Sequence, residues 1–162
     1  MFLVYRLNMP YLTSTRFNTE TWKQNQSWRD INQHKGCVYG SPVRINEDVP
    51  IGANVIVLEM HNDINKIVGV GIVKNNLALD KKYKIYDWGN YNRYTYKGEF
   101  RIDRSSCNKE EEKVLAILDQ LMFKGSRHLK RGSGITCLPR WIVHNRHIDF
   151  TEKITGMFKE RC

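Results

Sequence analysis

The middle of the sequence interleaves aromatic rings with positive side chains. An unpaired base stacks on an aromatic face, and its phosphates attract Lys or Arg. Trp88 is the expected exposed platform, because it stands beside Gly89-Asn90 at a predicted turn. For any single tyrosine, an aromatic sheet face that packs a helix is the alternative. The residues around Trp88 that form this pattern are Tyr83, Tyr86, Tyr91, Tyr94, Tyr96, Lys82, Lys84, Arg93, Lys97 and Arg101.

A second group combines tryptophans with amides. Asn18, Trp22 and Asn25 recur at intervals that place them on one face of a helix. A tryptophan flanked by amides can stack on a base while the amides bond its edge. The alternative is that Trp22 and Trp28 only fix the helix to a sheet. Of the two, Trp22 is favoured for binding and Trp28 for a structural role.

The segment from Lys124 to His147 carries six Lys or Arg, three His and no carboxylate. It also contains core-forming residues such as Ile135 and Ile142, so we expect a folded face whose positive field attracts polyanions. Gly132-Ser133-Gly134 is suited to an anion-binding nest of backbone amides. With one cation from the aromatic region, the candidate phosphate ligands are Arg93, Lys124, Arg127, Lys130, Arg131 and Arg140.

Signals for catalysis are weak, and no catalytic residue, metal or cofactor is predicted. No Walker pattern, nucleophile elbow or paired-carboxylate motif is present. His144 and His147 lack a third ligand at a natural spacing, which favours a basic surface over a metal site. Asp87, Glu99 and Asp103 are suited to a nuclease, but nearby arginines and lysines favour surface ion pairs.

Length and charge limit the organisation. A chain of 162 residues with a net charge of +9 predicts a single domain over 1–162 whose basic C-terminal extension spans about 124–162. The positive charge favours nucleic acid over an acidic protein or a membrane surface as partner. The four cysteines match neither a zinc module nor a disulfide framework, which favours reduced thiols in the cytoplasm or nucleus. No secretory signal or membrane span is expected.

The hydrophobic pattern predicts a mixed α+β fold. Strands are expected over 2–9 (ended by Pro10), over 53–60 and 66–74, which together form a central hairpin, and over 135–138. The stretch from Tyr83 to Ile102 is expected to form two further strands, with breaks at Gly89-Asn90 and at Lys97-Gly98. Helices are expected over 19–31 and 110–123, capped by Asn18 or Thr19 and by Asn108. The segment 150–158 is expected either to form a short helix or to fray. The 36–42 region is predicted to be a loop whose Cys37-Val38-Tyr39 centre inserts into the body.

Two glycines inside one predicted strand carry a specific expectation. Gly69 and Gly71 lie two residues apart, so they face the same side and leave a flat strip. Either another element packs closely against this strip, or a ligand approaches the backbone there.

The order of these elements resembles the PUA-like superfamily, especially its EVE and YTH branches. The resemblance covers about residues 1–105 and is carried by the turn Pro50-Ile51-Gly52, the strand ANVIVLEM and the strand KIVGVGIVK. It implies a small, strongly bent β-barrel with flanking helices, and an aromatic cage for a modified or flipped-out base. By position it implies one cage wall at Trp22 with Asn18 or Asn25 at the base edge. The opposite wall falls on Trp88 or Tyr91.

Three functions stay open from the sequence. The first is a nucleic-acid-binding domain for RNA or single-stranded DNA, because the basic segment is broken by glycines and Pro139 and cannot form the long basic helix that reads duplex DNA. The second is a structural or interaction protein of a virion or ribonucleoprotein. The third is a metal-independent ribonuclease of the PUA-like type. Abundant asparagine, lysine and isoleucine fit the A+T-rich genome of a large DNA virus, so a virion is a further predicted location.

Overall fold

The computed structural model describes residues 9–161 as an α+β fold, as predicted. Five strands form one sheet in the order β6-β4-β3-β1-β7, and β2 pairs with β5 in a separate ribbon. The strands are β1 (Tyr11–Phe17), β2 (Cys37–Ser41), β3 (Asn54–His61), β4 (Lys66–Lys74), β5 (Tyr94–Gly98), β6 (Phe100–Asp103) and β7 (Thr136–Cys137). The helices are α1 (Thr19–Ile31), α2 (Lys109–Phe123), α3 (Arg140–Val143) and α4 (Phe150–Arg161).

Strand pairing does not close the predicted barrel within residues 9–161. The five-stranded sheet ends at β6 on one side and at β7 on the other, and the β2–β5 ribbon joins neither edge by strand pairing. The architecture is therefore a sheet with a ribbon packed against it.

The predicted central hairpin is confirmed. Strands β3 and β4 pair antiparallel, with Val57 opposite Gly71. Residues of β3 alternate between the two faces of the sheet, and all are buried from Val55 onward. A continuous apolar run is the pattern expected of a strand covered on both faces.

Three strand predictions need correction. The predicted first strand falls almost wholly on 1–8, outside the described residues, whereas the strand β1 begins just after Pro10 and pairs parallel with β3. Cys37–Ser41 forms a strand of the ribbon instead of a loop. Residues 83–88 form no strand; they lead into a 3-10 turn at Gly89–Asn92, because side-chain bonds from Asn92 organise this stretch.

The helices begin where the caps predicted. The Asn18 side chain accepts a hydrogen bond from the backbone of Thr21, and Asn108 does the same for Glu111, so both helices start with a reciprocal capping box. Helices α2 and α4 cover one face of the sheet. The sheet contributes Ile56, Leu58 and Met60 to the buried cluster on this face. The helices contribute Leu115, Leu118, Met122, Phe150 and Ile154.

The opposite face of the sheet is covered by the ribbon and α1. A buried cluster on this side joins Val55 and Val57 to Tyr39 and Tyr96 of the ribbon. An added Cβ at Gly71 would meet Tyr39 Oη and Cys37 Sγ. The close approach of another element therefore explains the glycine strip, which was the first of its two interpretations.

A buried ion pair lies beside this strip. Arg101 donates from Nη2 to Glu59 Oε1 at 2.6 Å, and Tyr39 Oη donates to Glu59 Oε2 at 2.7 Å. Burial alone would lower the pKa of Arg101, but the Glu59 carboxylate raises it above the ordinary value. An added Cβ at Gly69 would meet both members of the pair, so glycine is required there as well.

We predict that Gly71→Ala lowers the free energy of unfolding by about 1–3 kcal/mol, because the methyl group overpacks a buried interface. Gly156→Ala in α4 is the matched control, since nothing lies within 4 Å of its added Cβ. The control should be neutral or stabilising by up to about 1 kcal/mol. Urea titration of both variants measures the difference. Equal stabilities would mean that the ribbon does not pack against Gly71 as described.

Candidate functional site

A pocket of about 200 Å³ opens where β1 ends and α1 begins. It lies at the carboxyl ends of the parallel strands β1 and β3, a common place for ligands at the edge of a sheet. Five separate parts of the chain form its walls. The lining residues are Thr15, Arg16, Phe17, Asn18, Thr21, Gly40, Pro42, Asn62, Tyr86, Tyr91, Lys130, Gly132, Ser133 and Gly134.

The pocket brings together three residues that the sequence analysis selected from distant parts of the chain. Asn18 and Tyr91 were expected at a base, and Lys130 at a phosphate; all three line this pocket. The glycine segment Gly132-Ser133-Gly134 lines it as well. Gly132 and Gly134 have positive φ angles of 108° and 78°, which allow the chain to turn sharply around the pocket mouth.

Arg16 is a site residue that the sequence analysis missed. Its guanidinium donates to the carbonyl oxygens of Leu129 and Gly134 at 3.1 Å each, and to Thr136 Oγ1 at 2.8 Å. Burial lowers the pKa of this arginine. Arg16 thus holds the basic segment against the end of β1.

Two buried polar atoms of the pocket residues have no hydrogen-bond partner among residues 9–161. They are Nε of Arg16, a donor, and Oδ1 of Asn62, an acceptor. The Asn62 amide is held by its Nδ2 group, which donates to the carbonyl oxygen of Lys130 at 2.9 Å. An unpaired buried group costs about 1–3 kcal/mol. Both side chains line the pocket.

A connected set of aromatic rings forms one wall of the pocket and extends to its rim. The Tyr91 ring makes edge contacts with Trp88 at 4.4 Å and with Tyr86 at 6.0 Å between centroids. Trp88 is 57% exposed, as expected of a platform at a turn, but it does not line the pocket itself. The exposed ring therefore stands next to the pocket wall.

Asn92 fixes this aromatic loop. Its Oδ1 accepts from the backbone N–H groups of Ile85 and Tyr86 at 2.9 Å each, and its Nδ2 donates to the carbonyl oxygen of Tyr86 at 2.6 Å. These three bonds close the segment from Ile85 to Asn92 into a compact loop. Trp88 is consequently displayed by a constrained backbone.

Asn25 does not occupy the position expected of a base-edge partner. It is 1% exposed, and its Nδ2 donates to the carbonyl oxygen of Val38 at 2.7 Å and to Tyr86 Oη at 3.0 Å. Its Oδ1 accepts from Arg29. Because its hydrogen-bonding groups are used within the fold, Asn25 supports the Tyr86 ring from behind.

Trp22 also lies away from the pocket. Its ring packs edge-on against Phe17 at 5.3 Å, and the guanidinium groups of Arg29 and Arg101 lie 5.3 and 5.2 Å from its centroid. Trp22 and Trp88 therefore do not face each other across this pocket. Trp28 packs against Tyr83, in keeping with the structural role expected of it.

The remaining predicted phosphate ligands are spread over the surface. Lys124, Arg127, Arg131 and Arg140 are exposed, and none has a carboxylate partner within residues 9–161. The Arg127 guanidinium lies 4.4 Å from the Trp141 ring centroid. Arg93 belongs to another surface, beside Tyr94.

Side chains that could support other chemistry are engaged or dispersed. Asp103 pairs with Arg101 at 3.0 Å, as the ion-pair interpretation predicted. The Asp87 carboxylate accepts from Gln24 at 3.2 Å. In the described part of the chain, no three His, Cys, Asp or Glu residues gather in a way that would hold a metal ion.

We predict that Arg16→Gln loosens the Leu129–Thr136 segment, since the shorter side chain cannot make the same three bonds. Tryptic cleavage after Lys130 or Arg131 should accelerate about tenfold, the effect of losing roughly 1.4 kcal/mol of local stability. Arg93→Gln removes the same charge elsewhere and should leave this cleavage rate unchanged. Mass spectrometry of timed digests measures both rates. Equal rates in the wild type and Arg16→Gln would contradict the anchoring role.

Comparison of the chain with protein-family models, curated proteins and solved structures finds no match. Within residues 9–161, no helix has the length and apolar character needed to cross a membrane. The interpretation of the pocket therefore rests on its own geometry and charge.

Proposed function

We propose that this protein binds single-stranded nucleic acid, either RNA or unpaired DNA, through the pocket beside Tyr91. An unpaired or modified base enters the pocket, and the basic segment from Lys124 to Arg146 contacts the phosphates. The protein acts as a binding domain without a catalytic step of its own.

One observation carries the proposal: the pocket combines an aromatic wall, unpaired polar atoms and a basic rim. Tyr91 lines the pocket, Arg16 and Asn62 beside it carry one unpaired donor and one unpaired acceptor, and Lys130 adds positive charge. A base needs a stacking partner and complementary edge groups, while its phosphate needs a cation. An acidic protein would use the charge but would have no need of the aromatic ring or of the two unpaired polar atoms.

The shape of the basic surface supports a single strand over a duplex. Duplex readers place a long helix or a two-stranded ribbon in the major groove. The helix within the basic segment, α3, has 4 residues, and the glycine turn at 132–134 interrupts the chain before it. A pocket of about 200 Å³ has room for a base only when that base has left its stack.

A relation to the PUA-like superfamily, with its bent barrel, belongs to the same proposal. Its support is the packing of the β2–β5 ribbon across β4. Cys37 Sγ lies 3.6 Å from the carbonyl oxygen of Ile72, and an added Cβ at Gly98 would meet that same oxygen. Ribbon and sheet together enclose one core, as the two sides of a bent barrel do.

The cellular setting is proposed on chemical grounds. A single-stranded partner fits the cytoplasm or nucleus, and it also fits a virion or ribonucleoprotein in which further proteins contact the complex. Reduced cysteines suit these compartments. Burial raises the pKa of the Cys37 thiol to about 12, so this thiol stays protonated and unreactive at neutral pH.

We predict that Trp88→Ala costs about 1–3 kcal/mol of binding to a single-stranded oligonucleotide, the usual value of one base–aromatic stack. Because the ring is 57% exposed, the thermal midpoint should move by no more than a few degrees. Phe100→Ala is the control, since this ring is 51% exposed and lies outside the pocket. Its affinity should equal that of the wild type. A large loss of stability with normal affinity per folded molecule would remove Trp88 from the binding surface.

We further predict that the double variant Lys130→Ala/Arg131→Ala makes the dependence of log affinity on log salt shallower, with the magnitude of the slope reduced by about 1 to 2 units. The reduction should be the same for all base sequences, because phosphate contacts carry no sequence information. Titrations of poly-U and poly-dT at several salt concentrations measure the slope. An unchanged slope would discard this segment as a phosphate surface, and recovery of shortened RNA without metal would favour the ribonuclease alternative.

A further inference from the structure

We propose that a second basic surface, on the other side of the Trp88 loop, guides the sugar-phosphate backbone of the bound strand away from the pocket. This inference rests on the proposed function. The surface is an open groove of about 930 Å³. Its lining residues are Leu77, Ala78, Leu79, Lys81, Lys82, Tyr83, Lys84, Asp87, Gly89, Asn90, Asn92, Arg93, Tyr94 and Thr95.

The charge of this groove is strongly one-sided. Four positive side chains, Lys81, Lys82, Lys84 and Arg93, line it together with a single carboxylate, that of Asp87. None of the four has an ion-pair partner within residues 9–161, whereas the nearby Lys97 pairs with Asp80 at 3.8 Å. Unpaired like charges repel one another, and a polyanion removes that repulsion.

The groove offers charge without a free aromatic face. The Tyr94 ring already contacts the guanidinium groups of Arg44 and Arg93, at 5.1 and 5.4 Å from its centroid. The Tyr83 ring is buried, with the amines of Lys81 and Lys97 at 5.3 and 5.4 Å. Because cations already lie near both rings, the groove suits phosphates better than bases. Binding in it should therefore show no base preference.

The 3-10 turn Gly89–Asn92 lies between the groove and the pocket and contributes lining residues to both. Tyr91 lines the pocket, whereas its neighbours Gly89, Asn90, Asn92 and Arg93 line the groove. Trp88, at the start of the turn, is exposed and lines neither the groove nor the pocket. A strand whose base fills the pocket therefore meets the groove after crossing this one turn.

The test compares Lys82→Ala/Lys84→Ala with Lys109→Ala/Lys153→Ala. Both double variants remove two exposed lysines, but the control pair lies on α2 and α4, outside the groove and the pocket. Lys82 and Lys84 make no hydrogen bond or ion pair within residues 9–161, so their replacement should leave the fold intact. The probes are uridine monophosphate, a ten-nucleotide poly-U and a ten-nucleotide poly-dT.

For the groove variant, we expect a salt slope reduced by about 1.4 units for both ten-nucleotide probes, since two single-strand phosphate contacts are lost. Affinity at 0.15 M salt should fall about tenfold. Affinity for uridine monophosphate should not change, because the pocket is intact. The control variant should match the wild type with every probe. In the wild-type protein, bound poly-U should slow reductive methylation of Lys82 and Lys84 but not of Lys109 and Lys153.

The possible failures point to different conclusions. Normal wild-type binding, with slopes in both double variants that equal the wild-type slope, would overturn the groove and leave the proposed function in place. Equal slope losses in both variants would show diffuse attraction and would also overturn the groove. Loss of uridine monophosphate binding in the groove variant would mean that the two sites are not separate. Absence of wild-type binding to every probe would overturn the proposed function together with this inference.

Discussion

The buried Glu59–Arg101 ion pair is the constraint on which the rest of the structure depends. A buried charge is costly unless it is paired and hydrogen-bonded. Here the carboxylate receives three guanidinium contacts of 2.6–3.2 Å and the Tyr39 hydroxyl, so strands β3, β6 and β2 must meet at one point. Gly69 leaves room for the pair and Gly71 for the tyrosine. Loss of either partner would strand an unpaired charge between the sheet and the ribbon.

The same ion pair explains why one expected binding residue became structural. The Arg101 guanidinium also lies against Trp22, and Arg29 contacts the same ring, so this tryptophan joins α1 to the charged centre. The ribbon that Tyr39 anchors then continues to Gly40 and Pro42, which form a wall of the pocket. The ion pair and the ribbon together thus set the position of the pocket, and Tyr91 forms its aromatic wall.

Local signals predicted much of the fold, whereas the site depends on contacts that no local signal carries. Caps at Asn18 and Asn108 and the apolar runs of β3 and β4 each reflect nearby residues, and they were predicted correctly. Strand β1 was missed because Thr13, Ser14 and Thr15 are polar yet buried, with Thr13 Oγ1 donating to the carbonyl oxygen of Ile56. Arg16 bonds residues more than 100 positions away, so its role was invisible in the sequence. Only its place at the end of a polar strand, just before a capped helix, hinted at a site.

The net charge of +9 acquires its direction from where the carboxylates are used. Glu59, Glu111, Glu112 and Asp119 are bound to arginines inside the sheet or beside α2, and Asp63 accepts from the first turn of α1. Backbone and hydroxyl donation from Thr19 lowers the pKa of Asp63, which keeps it charged at that helix end. Because these acids are engaged elsewhere, the basic segment and the groove display positive charge that few carboxylates offset, on both sides of the Trp88 loop. Under the proposed function, a flexible single strand would contact both surfaces at once while one of its bases fills the pocket.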